Sequence, residues 1–194
     1  MKKTIYNTII KRLLDILISI IGIIILFPVF IIISLLILII DKNNPLYIQK
    51  RTGLNGNNFN ILKFQTYKYD EITKLGSFLR KTSIDELPQL FNVLIGEMSI
   101  VGPRPWIPDY YQRFNKEQKK RTTVRPGIVG LAQVNGRNRL NVFQKIEFDL
   151  EYVKKISFKL DLIIILKSFK VIISQEENGT SDVYIRNELM ELER

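Results

Sequence analysis

The feature that most limits this chain is the run from Leu13 to Ile40, which is Leu, Ile, Val and Phe broken only by Asp15, Ser19, Gly22, Pro28 and Ser34. A stretch this long and this apolar belongs in a membrane. A secretory signal has a shorter apolar core ending at a small-residue cleavage site, whereas this run continues past Phe30 into a second half as apolar as the first. An uncleaved segment is therefore expected. Pro28 removes a mid-helix hydrogen bond and crowds the preceding turn, which predicts a bend near Leu26 to Pro28. Lys2, Lys3, Lys11 and Arg12 precede the run, and Lys42, Lys50 and Arg51 follow it. Positive charge tends to stay cytoplasmic, so basic flanks at both ends suit a segment that enters and leaves on one face. A kinked transmembrane helix is the other reading the residues leave open.

The 194 residues suffice for one domain with a real core, and the net charge of +10 points to an anionic partner. Nucleic acid, an acidic membrane surface and a phosphorylated substrate all satisfy that charge. The chain has no cysteine and no histidine. Disulfides, thiolate chemistry, imidazole bases, catalytic triads and His-ligated zinc are excluded. Acid-base or nucleophilic chemistry must rest on Asp, Glu, Lys, Tyr, Ser or Thr.

Beyond the apolar run, Leu46 to Arg51 and Phe59 to Thr66 read as extended segments around the turn-rich Thr52-Gly53-Leu54-Asn55-Gly56, which predicts a small β-hairpin. Helical spacing appears at Ile72, Leu75, Phe78 and Leu79, at Ile107, Tyr110, Tyr111 and Phe114, and at Val142, Ile146, Val153 and Ile156. The stretch from Arg125-Pro126-Gly127 to Gly136-Arg137-Asn138 is rich in Gly and Pro and is expected to be a structured loop rather than a regular element. Leu160 to Ile173 is apolar but carries Asp161, Lys167 and Lys170, which suits a buried or membrane-surface helix. The fold class expected is mainly α with a small β-hairpin.

The chemistry concentrates in Arg80-Lys81-Thr82-Ser83-Ile84-Asp85-Glu86-Leu87-Pro88-Gln89-Leu90. Ser83 and Glu86 have the spacing of a capping box, which is a purely structural reading. Pro88 complicates it, because with Ser83 as cap the proline falls past the first turn, whereas with Asp85 as cap it is tolerated. Asp85 would then sit at a helix mouth that welcomes a phosphate. A carboxylate can attack phosphorus to give an acyl-phosphate, provided the repulsion between anions is offset, for example by Mg²⁺ on Asp85 and Glu86. Lys63, Arg80, Arg104 and Arg125 are the cations available to phosphate groups. In Val101-Gly102-Pro103-Arg104-Pro105, two prolines hold the backbone on either side of one arginine.

Asp85-Glu86-Leu87-Pro88-Gln89-Leu90-Phe91-Asn92-Val93-Leu94, followed by Gly96-Glu97-Met98-Ser99-Ile100-Val101-Gly102-Pro103-Arg104-Pro105, resembles the signature of the bacterial sugar transferases, the monotopic phosphoglycosyl transferases. The likeness extends to Lys11-Arg12 with Asp15, to Gln49, Arg51 and Gly53, to Phe59 through Phe64, to Pro126-Gly127, to Gln133-Val134-Asn135-Gly136-Arg137, and to Asp149 and Tyr152. It implies a re-entrant membrane helix over 1–41 bent at Pro28, a cytoplasmic α/β catalytic domain over 42–186 carrying membrane-surface amphipathic helices, and a tail over 187–194. It also implies Asp85 as nucleophile, with Glu86 as its partner in metal binding or proton removal. Lys63, Arg80, Arg104, Arg125 and Arg137 would bind substrate, and Mg²⁺ would be the cofactor.

The implied reaction moves a sugar-phosphate from a UDP-sugar to undecaprenyl phosphate by a ping-pong cycle, on the cytoplasmic face of the bacterial inner membrane. The chain carries Lys63-Phe64-Gln65-Thr66-Tyr67 where the family usually has Lys-Phe-Arg-Thr-Met, one positive charge fewer. It also has Phe27 where a small residue usually precedes the proline. Without the additional N-terminal spans of larger members, it resembles the small forms typified by undecaprenyl-phosphate diacetylbacillosamine-phosphate transferases. A basic membrane-tethered adaptor would share the charge and the apolar run but has no use for adjacent carboxylates. A nucleic-acid binder would interleave basic residues with aromatics along one face. The one segment that does so, Tyr110 to Phe114 with Lys116, Lys119, Lys120 and Arg121, reads as an amphipathic helix with a solvated basic side, so no nucleic-acid partner is expected.

Overall fold

A computed structural model describes residues 4–136, 139–173 and 191–192. Arg137 and most of the 187–194 tail lie outside the described residues. Among the described residues the architecture is mainly helical, with three two-stranded sheets. Helix α1 (Lys11–Leu36) is flanked by π-helical turns at Tyr6–Ile10 and Ile37–Asp41, so the chain is helical for 36 residues. It stays helical through Pro28. Only 11% of its most apolar window is buried against the rest of the protein, whereas a core helix of that composition would be largely covered. One stripe of this continuous helix does pack: Phe30 and Ile33 of α1 and Ile37 of the following turn join Phe64, Leu79 and Leu90 in a core cluster. The remaining faces present Ile24, Ile25, Ile32, Leu35 and Ile39 outward.

The hairpin forms as expected, β1 (Leu46–Thr52) pairing antiparallel with β2 (Asn58–Phe64), Leu46 opposite Phe64 and Thr52 opposite Asn58. A minimal second hairpin, β3 (Tyr67–Lys68) with β4 (Glu71–Ile72), leads into α2 (Lys74–Lys81), which Thr73 caps by accepting from the Gly76 amide. Helix α3 (Gln89–Ile95) follows, then β5 (Ser99–Val101), α4 (Pro108–Arg113) and α5 (Lys116–Lys119). The last elements are β6 (Gly127–Val129), α6 (Leu131–Val134), α7 (Val142–Lys155) and α8 (Phe158–Ile173).

The Gly- and Pro-rich stretch after Arg125 is thus more regular than its composition suggests. Gly127 to Val129 pairs in parallel with Ser99 to Val101, because the two segments approach so closely that a Cβ on Gly127 would lie 2.0 Å from the Gly102 nitrogen. The basic segment after Ile107 is two short helices rather than one, and its Arg121 is buried, 2% exposed, not solvated.

Polar groups tie α1 to this body along its length. Asp15 is buried and accepts from Ser99 Oγ at 3.1 Å and the Ile100 amide at 2.9 Å. Arg12 donates to the carbonyls of Val93 and Leu94 at 2.6 and 2.9 Å, satisfying the C-terminal end of α3. Lys11 Nζ and Tyr6 Oη both reach Asp161 Oδ2 on α8, at 2.6 and 2.5 Å. At the other end, Asp41 accepts from Thr73 Oγ1 at 2.8 Å. Helix α8 buries Asp161 and Ile164 and exposes Phe158, Leu162, Ile163, Leu166 and Phe169. That leaves an apolar face beside α1, far more than scattered surface hydrophobics require.

Candidate active site

Asp85 and Glu86 lie in a 3₁₀ turn, Ile84–Glu86, between α2 and α3. Neither cap suggested by the sequence forms. Ser83 sits in the left-handed region at φ 58° and makes no capping bond, and Pro88 rather than Asp85 directly precedes α3. Glu86 is drawn elsewhere: its Oε1 accepts from Lys63 Nζ at 2.7 Å and from Arg104 Nη2 at 2.8 Å. Two charge-assisted bonds outweigh one bond to a backbone amide.

The partners are delivered by separate devices. Asn92, buried in α3, accepts from the Leu62 amide at 3.0 Å and donates to the Asn60 carbonyl at 2.8 Å, clamping β2 to α3 and placing Lys63 against Glu86. Arg104 is set by its backbone. Gly127 N donates to the Pro103 carbonyl at 3.0 Å, Thr52 N to the Trp106 carbonyl at 2.9 Å, and Arg121 Nη2 to the Arg104 carbonyl at 2.6 Å. Arg121 is itself fixed by Asp149 Oδ2, at 2.9 Å from Nε and 2.6 Å from Nη2, and lies over the Trp106 ring at 4.5 Å.

Electrostatics separate the two carboxylates. Burial, and then the charge of Glu86, push Asp85 up to about 6 against the pull of Lys63, Arg80 and Arg104. Burial alone would also raise Glu86, but Arg104 and Lys63 hold it well below the usual carboxylate range. Neighbouring acids pushed apart in this way are a common mark of a reaction centre. Among the described residues no group of three or more His, Cys, Asp and Glu converges on one point. The dyad still suits Mg²⁺, which binds through one or two carboxylates and completes its shell with water and phosphate oxygens. Glu86 Oε1 is taken by Lys63 and Arg104, whereas Oε2 meets only Arg104 Nη1, at 3.5 Å, so Oε2 and the Asp85 carboxylate would hold the ion.

A cavity of about 610 Å³ opens on Glu86. Ser83, Glu86, Arg51 and Arg104 line its polar part, with Asp85 buried alongside. Gly22 and Leu26 of α1, Leu90 of α3, and Ile165 and Phe169 of α8 line its apolar part. The site therefore joins a charged centre to the membrane-type helices.

Of the sequence candidates, Asp85, Glu86, Lys63 and Arg104 come together. Arg80 is close enough to lower Asp85 and lies over the Tyr67 ring at 5.0 Å. Arg125 does not join them. Its Nε donates to the Gly96 carbonyl at 2.8 Å, beside Arg12, at the far end of α3. The residues that position the site without having been singled out are Arg51, Asn92, Arg121 and Asp149. Arg51, Asn92 and Asp149 belong to the pattern of resemblance, but nothing in their spacing distinguishes their roles.

Residues 6–175 match the model of the family described as bacterial sugar transferase. A protein of Bacillus subtilis named "Uncharacterized sugar transferase EpsL" is 39% identical, covering 90% of this chain and 93% of its own length. An "Uncharacterized sugar transferase" of Haemophilus influenzae is 37% identical over 88% of this chain, but the match spans only 42% of that protein. The "UDP-glucose:undecaprenyl-phosphate glucose-1-phosphate transferase" of Klebsiella pneumoniae is 37% identical over 87% of this chain and 41% of its own length. With the family model spanning most of its length and carrying Asp85, Glu86 and Arg104 within the match, this chain belongs to the bacterial sugar transferase family.

Proposed function

We propose that this protein transfers a sugar-1-phosphate from a UDP-sugar to undecaprenyl phosphate, giving UMP and undecaprenyl-diphosphate-sugar as the first membrane step of glycoprotein or surface polysaccharide assembly. The observation that carries this reading is that one cavity is lined both by Glu86 and Arg104 and by Leu26, Ile165 and Phe169. A substrate with a phosphate head and a polyprenyl tail needs both surfaces at once. Relatives named for glucose-1-phosphate transfer to undecaprenyl phosphate support the same class of reaction.

Asp85 is the nucleophile in this account. Burial makes its carboxylate more basic than usual, and its oxygen bonds to the sugar-linked phosphorus as UMP leaves. Undecaprenyl phosphate then attacks the phosphosugar-Asp85 intermediate and frees the carboxylate. Glu86 is a poor base, because Lys63 and Arg104 hold it ionised. Its role is to position those two cations and share a metal with Asp85. Mg²⁺ held by Asp85 and Glu86 would draw charge off the transferring phosphoryl group.

The re-entrant topology has its own support. A helix of 36 residues is roughly 54 Å long, well over the ~30 Å hydrocarbon core. A straight crossing would carry its two ends to opposite faces, yet Lys11 and Asp41 are bonded to the same body. This favours entry and exit on one side, with the site on the cytoplasmic face that the basic flanks prefer.

The test is UMP release by detergent-purified protein given Mg²⁺, undecaprenyl phosphate and a panel of UDP-sugars. Wild type is expected to release UMP with at least one donor and Asp85→Asn with none. Equal turnover by the variant would remove Asp85 from the chemistry.

A further inference from the structure

Arg51 is a cation that the carboxylates of the site do not account for. It stands near the end of β1 and lines the same cavity as Glu86 and Arg104. Its Nη2 donates to Gln49 Oε1, and its Nη1 reaches the Pro105 carbonyl only at 3.4 Å, the far edge of hydrogen bonding. Its Nε is buried without an acceptor, and Arg51 makes no ion pair among the described residues. Burial, and then the neighbouring Arg104, pull it down to about 10. Glu86, the anion that offsets this crowding, is already bonded to Arg104 and Lys63. A partly buried cation with a fully buried, unpaired Nε is costly until an anion reaches it, and the guanidinium fork is shaped for phosphate.

We propose that Arg51 forms a phosphomonoester subsite in this cavity, occupied in turn by the nucleotide phosphate that leaves and by the lipid phosphate that attacks. The inference rests on the transferase reading above. In the first half-reaction an Asp85 oxygen bonds to the sugar-linked phosphorus while the bridging P–O bond breaks, its electron pair going to UMP. In the second, an oxygen of the lipid phosphate bonds to that phosphorus while the Asp85 O–P bond breaks and returns its electron pair to the carboxylate. Each half-reaction places one dianionic phosphomonoester beside the transferring phosphorus, and the charges balance without moving a proton. One cationic subsite therefore serves both. Lys63 and Arg104 are committed to Glu86, and Arg125 to Gly96, whereas Arg51 has a buried donor to give.

The experiment compares wild type, Arg51→Gln and Arg51→Lys in detergent with Mg²⁺. Titration calorimetry with UMP is expected to show affinity falling roughly 10- to 100-fold in Arg51→Gln and partly recovering in Arg51→Lys. In steady state UMP should compete with undecaprenyl phosphate in wild type, and the lipid KM should rise in Arg51→Gln by a similar factor. The thermal midpoint of Arg51→Gln should be unchanged or higher. Unchanged UMP affinity would overturn the subsite, as would a lower thermal midpoint with both affinities intact, which would mark Arg51 as structural. Lost UMP affinity with an unchanged lipid KM, or inhibition that is not competitive with the lipid, would confine Arg51 to the nucleotide and overturn the sharing. Wild type that binds UMP through Arg51 but releases none from any UDP-sugar would overturn the transferase reading, and the sharing with it, while calorimetry still reads Arg51 as a phosphate ligand.

Discussion

Arg121 donates to the backbone carbonyl of Arg104 at 2.6 Å, so a buried arginine holds the loop that aims an active-site arginine. Its counter-ion Asp149 is equally buried, and burial raises the Asp149 carboxyl even with Arg121 beside it. Asp149→Ala leaves that guanidinium uncompensated and is expected to cost about 3–5 kcal/mol. The thermal midpoint should fall by roughly 10 °C. The double variant Arg121→Met, Asp149→Leu should recover most of that stability, because an apolar pair of similar volume often replaces a buried ion pair without loss. It should remain poor in kcat/KM, since the Arg104 carbonyl has lost its donor. Melting curves and turnover together check this, and a stable, fully active double variant would remove Arg121 from the positioning of Arg104.

The raised Asp85 carboxyl makes two opposite predictions with pH. As nucleophile it must be ionised, so UMP release should fall about tenfold per unit as pH drops below about 6. Stability runs the other way. The folded carboxyl at about 6 lies above its ordinary 3.8, so between those values the folded state binds the extra proton. The ionised group burdens the fold above about 6, and that burden vanishes as pH falls below 3.8. Asp85→Asn should therefore be inactive yet more stable than wild type at pH 7.5, by about 1–3 kcal/mol, with the gain lost below pH ~4. Thermal midpoints of both proteins across that range test the sign.

Glu86 joins two cations, and removing its charge should disturb both. Glu86→Gln is expected to lower kcat/KM for the donor by roughly 10²- to 10³-fold, the scale of losing one preorganised electrostatic group. Arg104→Lys, which keeps the charge but loses the two-toothed grip on Glu86, should fall less. Donor kinetics separate the cases. Near-normal rates in Glu86→Gln would mean that the Lys63–Glu86–Arg104 cluster serves the fold alone.

The absence of cysteine makes the membrane topology directly measurable. Single cysteines at Thr4 and Asn44 bracket the apolar helix. With a re-entrant helix, a membrane-impermeant maleimide should modify both in inverted vesicles and neither in right-side-out cells. Labelling of one position from each side would make α1 a spanning helix.

Local signals carried the sequence reading far where the physics is local. The 13–40 run, the alternating segments that become β1 and β2, and the periodic residues of α7 are visible because membrane burial, strand pairing and helix packing each leave a short period in the chain. Partners distant in sequence left no such mark. Ser83 and Glu86 have capping-box spacing, yet Lys63, 23 residues earlier, claims Glu86. Arg121 sits in a basic run that resembles a solvated face, and only Asp149, 28 residues later, draws it inward. Nothing local distinguishes Arg51 from Arg125 as a cation for the site. The crossing of Gly102 with Gly127, which decides that Arg125 points at α3 rather than at the dyad, is a tertiary event.

The central claim is a covalent phosphosugar on Asp85. Wild type incubated with Mg²⁺ and the UDP-sugar it accepts, but no lipid, should release about one UMP per site and gain the mass of one sugar-phosphate on the peptide containing Asp85, which undecaprenyl phosphate then removes. UMP release that appears only when the lipid is present, with no adduct on that peptide, would contradict the account and require direct transfer between the two substrates.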